Sequence, residues 1–179
     1  MTQTLRERQA PLKERYESDP TTALKTFTIV SSTTGVDPTR VRVRTSEGGD
    51  SPLGEWDVAA HPMAGGPGDL PCSGDLLLAS LAACQEITVR MVASAMGITL
   101  EQLAVTVEGD MDFRGTMGID RDTPVGFTAI RTTVSLRADA PADRLERLAR
   151  RAEQYCVVSA TLRNAPELST TMDVHSIYS

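Results

Sequence analysis

The chain opens on a charged stretch and then passes into alternating apolar and polar positions. Residues 1–22 are polar and charged. Within them, Pro11 to Tyr16 reads as a short helix ended by Asp19-Pro20, because the residue before a proline is pushed out of the helical region. This stretch is expected to be an N-terminal arm. Residues 24–32 (LKTFTIVSS) are rich in β-branched residues and predict a strand. Residues 39–45 alternate, with Val41, Val43 and Thr45 on one face and Arg40, Arg42 and Arg44 on the other. GGDSPLG (48–54) reads as a turn, and a third strand begins at Trp56 and runs to Ala60. The Gly/Pro-rich loop HPMAGGPGDLP follows, from His61 to Pro71.

The strongest helix signal covers 75–96. Leu77, Leu81, Cys84, Thr88, Met91 and Ala95 recur at four- and three-residue spacings. From Leu76 to Cys84 the remaining positions are also apolar or small. A helix apolar all round is buried all round, so its first half is expected to run through the centre of the molecule or of a dimer. Ser73 is the expected N-cap and Gly97 the C-terminal stop. Strands follow near 103–113 and 127–137, joined by a polar loop with Gly115, Gly118, Pro124 and Gly126. In the second strand Ile130, Thr132, Val134 and Leu136 oppose Arg131, Thr133, Ser135 and Arg137. Residues 141–155 form an amphipathic helix with Leu145, Leu148, Ala152 and Tyr155 facing in. A short helix starts at or just after Cys156, and a last strand spans 168–177. The order βββ-α-ββ-α-α-β is α+β; it lacks the strand–helix alternation of a parallel α/β fold.

Composition narrows the function classes. The 179 residues suit a single domain with a core of its own, here taken as 23–179. Aromatics are only 4%, so that core rests on Leu, Val, Ile, Ala and Met. A net charge of −6 argues against nucleic acid as a partner. No run approaches the ~20 continuous apolar residues that span a bilayer. MTQTLRERQAPLKERYE has no apolar core of a secretory signal, so a cytoplasmic location and no membrane partner are expected. In that compartment three cysteines read as thiols rather than as a disulfide framework.

Cys84 lies on the apolar helix, where free cysteine is commonly a small core hydrophobe. Cys156 lies where one helix ends and another begins, a place that lowers a thiol pKa. Cys72, in the loop before the long helix, reads as incidental. The cysteines are 12 and 72 residues apart and lack the short paired spacings of zinc sites, so no metal is expected. No cofactor motif is visible. GGPG (65–68) lacks the Lys-Ser/Thr of a phosphate-binding loop, and no Ser/His/Asp signature occurs. His61 and His175, the two histidines, read as structural or solvent-facing.

GDLLLASLAACQEITVRMVASAMGI (74–98) resembles the signature helix of the OsmC/Ohr family. That signature is an acid, Leu-Leu, a Cys nine positions after the acid, and a Thr–Arg–Met continuation. Here these are Asp75, Leu76-Leu77, Cys84, Thr88, Arg90 and Met91. CVVSATL (156–162) is similar to the family's second motif, a Cys opening a late helix. The resemblance covers roughly 25–178. It implies a long buried central helix wrapped by antiparallel sheets in an intertwined homodimer. It further implies thiol peroxidase chemistry on a small hydroperoxide, organic or hydrogen peroxide. Cys84 would be the peroxidatic thiolate and Cys156 the resolving cysteine, with a small-molecule or protein dithiol as reductant.

The sequence departs from the family where the thiolate is activated. The peroxidase branches use a loop Arg held by a Glu. Here the acid is Asp75, and no Arg occurs between Arg44 and Arg90. Only His61 in that loop can be cationic, with Arg42 and Arg44 as substitutes from a strand. Nine helical residues span about 13.5 Å, so Asp75 acts on a partner subunit, caps the helix, or has no catalytic role. Two alternatives therefore stand beside the peroxidase: a non-enzymatic small-molecule binder, and a redox sensor working through a protein partner.

Overall fold

The computed structural model describes residues 3–46 and 53–176. Most of the expected turn at 48–54 lies outside the described residues, as does the end of the expected last strand, at 177. Helix α1 is Leu5–Ser18, longer than the helix expected from Pro11. A capping box starts it early: Thr4 Oγ1 accepts from Glu7 N at 3.2 Å, and Glu7 accepts from Thr4 N at 2.7 Å. Pro11 sits inside and removes one helical hydrogen bond.

Strands β1 (Ile29–Thr33), β2 (Arg40–Thr45) and β3 (Glu55–Ala59) make one antiparallel sheet. Its register pairs Ser31 with Val43 and Val43 with Trp56. The alternation read in β2 holds, since Val41, Val43 and Thr45 are half-buried while Arg42 and Arg44 are exposed. Every residue of β1 is exposed, and the sheet's contacts with the chain's helices are sparse. Strands β4 (Leu100–Met111) and β5 (Phe127–Ala138) form a separate antiparallel hairpin. Its connection contains the short helix α3 (Phe113–Thr116).

The long helix α2 is Ser73–Ala95. It packs on β4 and against α4 (Ala142–Tyr155) and α5 (Val157–Arg163). The core sits at these contacts, built on Val89, Ala93, Ile98, Leu148 and Ala152. Gly97 stops α2 as expected. Its φ of +63° is left-handed, and a paired closure follows: Gly97 N donates to Ser94 O at 3.1 Å and Ile98 N to Ala93 O at 2.9 Å.

The side of α2 turned into its own chain carries Leu81, Thr88, Val89 and Ala93. The face expected from spacing is rotated from this, and Met91 is 38% exposed. A helix apolar on every side gives periodicity little to choose between. Among the described residues α2 alone is long and apolar enough to cross a membrane. Its buried side carries the packing of this α+β fold.

Two further expectations fail towards the C-terminus. Tyr155 does not face in but is 63% exposed. Leu148, Ala152 and Cys156, each four residues apart, form the buried ridge instead, at 0%, 1% and 0% exposure. The last strand is absent from the described residues: 165–176 pairs with neither sheet, and Leu168, Met172 and Val174 are exposed. The alternation there is that of a strand, but this chain gives it no partner edge.

Candidate functional site

Cys84 lies at the start of the fourth turn of α2 and is half-buried. Cys156 ends α4 and caps the start of α5. Its ψ of 105° leaves the helical region, and Ala160 N donates to Cys156 O at 2.9 Å to restart the helix. At this break the thiol continues the buried Leu148–Ala152 ridge and meets α2. The Cys156 thiol donates to Cys84 Sγ at 3.4 Å. Both are free thiols, and their sulfurs are about 1.3 Å further apart than the ~2.05 Å of a disulfide bond. Two residues 72 apart in sequence are thus held in position to bond with a small movement.

The two thiols are not equivalent. Burial pushes the Cys84 thiol up, but hydrogen bonds outweigh it: the Val158 N–H, the Cys156 thiol, the Thr88 hydroxyl and the Val157 N–H hold it below its ordinary value. Burial pushes the Cys156 thiol up as well. There the Ser159 and Val158 N–H groups do not compensate, because a negative charge at Cys84 opposes a second one beside it. One thiol is poised to ionise and its neighbour to keep its proton, the division of labour that nucleophilic attack followed by condensation needs. The donors that hold Cys84 down are neutral groups.

Asp75 is placed elsewhere. It closes a capping box with Cys72: Asp75 accepts from Cys72 N at 2.8 Å, and Cys72 Sγ accepts from Asp75 N at 3.4 Å. Cys72, not Ser73, is therefore the N-cap. The acid three residues after Cys72 was the available signal; cysteine's rarity as a cap hid it. The Cys72 backbone N–H, then its side chain, hold the Asp75 carboxyl below its usual range, with His61 adding to the effect. A carboxyl lowered by folding contributes its full stability above the ordinary carboxylate range and loses it as pH falls through the lowered value. Asp75→Ala is expected to cost about 1 kcal/mol. Thermal denaturation at pH 7 and pH 3 checks this, and the gap between variant and wild type should shrink at pH 3.

The remaining candidate activators are engaged away from Cys84 in this chain. His61 Nδ1 accepts from Met63 N at 3.1 Å and its ring stacks on Phe113, 5.0 Å between centroids. Arg42 holds Asp57 through two nitrogens, at 2.7 and 3.1 Å, and Arg44 points outward from β2. His175 is solvent-facing, 3.1 Å from Asp173. Spacing and motif place Thr88 on the face of Cys84 but assign it no role; one turn after Cys84, its hydroxyl meets that residue's carbonyl.

A cleft of about 900 Å³ opens between β5 and the three helices α2, α4 and α5, and neither thiol is among its lining residues. Leu77, Leu81, Val89, Leu148 and Leu162 give it apolar walls, with Gln85 and Ser159 as polar points.

Solved structures share this arrangement of elements. An OsmC-like protein from Mycoplasma pneumoniae superposes with a TM-score of 0.62 at 17% identity, covering 79% of this chain and 89% of that one. A protein from Legionella pneumophila superposes with a TM-score of 0.54 at 25% identity, over 79% and 91% of the two chains. It is described as an organic hydroperoxide resistance protein OsmC, a predicted redox protein and regulator of sulfide bond formation. The organic hydroperoxide resistance protein OhrB of Bacillus subtilis gives a TM-score of 0.50 at 17% identity, over 79% and 93%. No curated protein sequence matches the chain. The sequence model of the family described as OsmC-like protein matches residues 66–171. That match takes in more than half of the chain, with both members of the thiol pair inside it, and the chain belongs to the OsmC-like family.

Proposed function

We propose that this chain is a thiol peroxidase in which Cys84 and Cys156 form the redox couple. The observation that carries the reading is the 3.4 Å approach of two free thiols whose proton affinities are pushed apart. The Cys84 thiolate attacks the distal oxygen of a hydroperoxide, ROOH. The O–O bond breaks, the alkoxide takes a proton to leave as ROH, and Cys84 becomes a sulfenic acid. Cys156 then displaces hydroxide from that sulfur, its own proton completing the water molecule, and a disulfide forms. A dithiol, as a small molecule or on a protein, reduces it by two exchange steps and is itself oxidised. The likeness to the Legionella pneumophila hydroperoxide resistance protein supports this substrate class.

The assembly we infer is a homodimer. Leu77, Ile87 and Met91 leave an exposed apolar strip on α2, at 38%, 56% and 38%. The exposed apolar residues Leu168, Met172 and Val174, outside both sheets, and the fully exposed strand β1 offer further surfaces that a second copy would bury. A solution mass of about twice 19.3 kDa is expected. In this reading residues 23–179 form the redox domain and residues 1–22 an arm outside it. The protein works in the cytoplasm, where a reductant keeps its thiols free.

Oxidant titration tests the redox reading. One equivalent of an organic hydroperoxide per chain should remove two thiols and two mass units, with the Cys84–Cys156 cross-link found in the digest. A second reading, a non-enzymatic binder of small apolar molecules, draws on the cleft between β5 and α5. It requires that hydroperoxide leave the thiol count unchanged, and that result would overturn the peroxidase.

A further inference from the structure

Thr88 stands out among the groups around Cys84. It is four residues on, one turn along the same helix face, and only 9% exposed. Side chains in a helix lean towards its N-terminus, so Thr88 reaches back over Cys84. Its Oγ1 donates to the Cys84 carbonyl oxygen at 2.7 Å. That carbonyl already receives the helical N–H of Thr88, as every i, i+4 pair in a helix does. The hydroxyl bond is therefore a second bond on a satisfied acceptor, and the hydroxyl gives it up at little cost. A threonine hydroxyl has one proton and turns to suit its surroundings.

We propose that Thr88 is a switchable hydrogen-bond donor, resting on the Cys84 carbonyl while the thiol is protonated and turning onto the Cys84 sulfur when it ionises. The site needs such a donor because, of the candidate cations, His61 and Arg42 are engaged elsewhere and Arg44 is on the exposed face of β2. On α2 and the elements packed against it the acids are already paired: Glu86 pairs with Arg90 on α2, at 3.6 Å. Glu153 of α4 pairs with Arg163 of α5. Glu7 of α1 is held by Thr4, and Asp110 of β4 by Arg131 of β5. The titratable group that does face Cys84 is the Cys156 thiol, which supplies a second neutral donor. The downward pull on the Cys84 thiol includes the Thr88 hydroxyl. Thr88 thus replaces part of what a cation would supply, without placing a charge beside the half-buried Cys84.

The inference rests on reading Cys84 as the working thiolate, and the experiment separates the two. The full-length chain is alkylated with iodoacetamide across pH 5–10, and the Cys84 peptide is followed by mass spectrometry. Thr88→Val keeps the shape of the side chain and removes the proton. Its Cys84 midpoint should rise by about one pH unit, the size of a hydrogen bond to a charged group. Thr88→Ser keeps the hydroxyl, and its midpoint should stay within about 0.3 unit of wild type. Circular dichroism and thermal melts of both variants control for the fold. A Thr88→Val midpoint equal to that of wild type, in a folded protein, overturns the switch and leaves Thr88 a packing residue. Should Thr88→Val move the midpoint while wild type leaves hydroperoxide unconsumed, the switch stands and the peroxidase reading fails.

Discussion

Cys84→Ser is expected to lower dithiol-dependent hydroperoxide turnover by on the order of a thousandfold or more, to the rate of reductant alone. A serine hydroxyl in this place does not ionise near neutral pH, and the donors gathered around residue 84 then stabilise nothing. Cys156 is unable to take over. It is fully buried, and that burial pushes its thiol up. Cys156→Ser should behave differently. The thiolate remains, so one equivalent of hydroperoxide is still consumed in a first fast turnover. The cycle then stalls at the sulfenic acid, which a dimedone adduct on Cys84 would capture. Stopped-flow consumption with a dithiol in excess reads both variants. Unchanged turnover in Cys84→Ser would remove Cys84 from the chemistry, and unchanged turnover in Cys156→Ser would point to Cys72 or the reductant as the resolving thiol.

The parts of this picture that local pattern encodes were legible in the sequence. The α2 run, the alternation in β2 and β5, the glycine stop at Gly97 and the helix restart at Cys156 are each set by residues within a few positions of one another. The thiol pair was legible only through its motifs, because no periodicity reports that residues 84 and 156 meet. What brings them together is the ridge Leu148–Ala152–Cys156 lying across α2, a matter of packing between helices. A three-residue step from Ala152 points to Tyr155 and a four-residue step to Cys156; the packing takes the four-residue step and leaves Tyr155 exposed. The cap at Cys72 and the role of Thr88 were hidden for another reason. Both depend on one side chain meeting one backbone group; position in the loop made Cys72 read as incidental, and spacing placed Thr88 on the helix face without showing what its hydroxyl meets. The terminal strand read at 168–177 has the right alternation, but a strand exists only where an edge receives it.

Leu148→Ala should be among the most damaging single changes away from the thiols. Leu148 is fully buried in α4 and packs in the cluster that holds Val89 and Ala93 of α2. Its truncation removes apolar contact and leaves a cavity between two helices, which costs about 3 kcal/mol. For a chain of this size that lowers the melting temperature by roughly 6–12 °C. Arg150→Ala, on the solvent side of the same helix and 68% exposed, should stay within about 0.5 kcal/mol of wild type. The functional consequence follows from position. Leu148, Ala152 and Cys156 share one ridge, so loosening its first member loosens the seat of the last. The attack of Cys84 on hydroperoxide needs only its own surroundings, whereas disulfide closure needs Cys156 held beside it. Leu148→Ala should therefore slow closure more than it slows the first oxidation, and sulfenic acid should accumulate at temperatures well below the melt. Equal slowing of both steps would mean that the ridge supports the whole fold alike and does not hold Cys156 in particular.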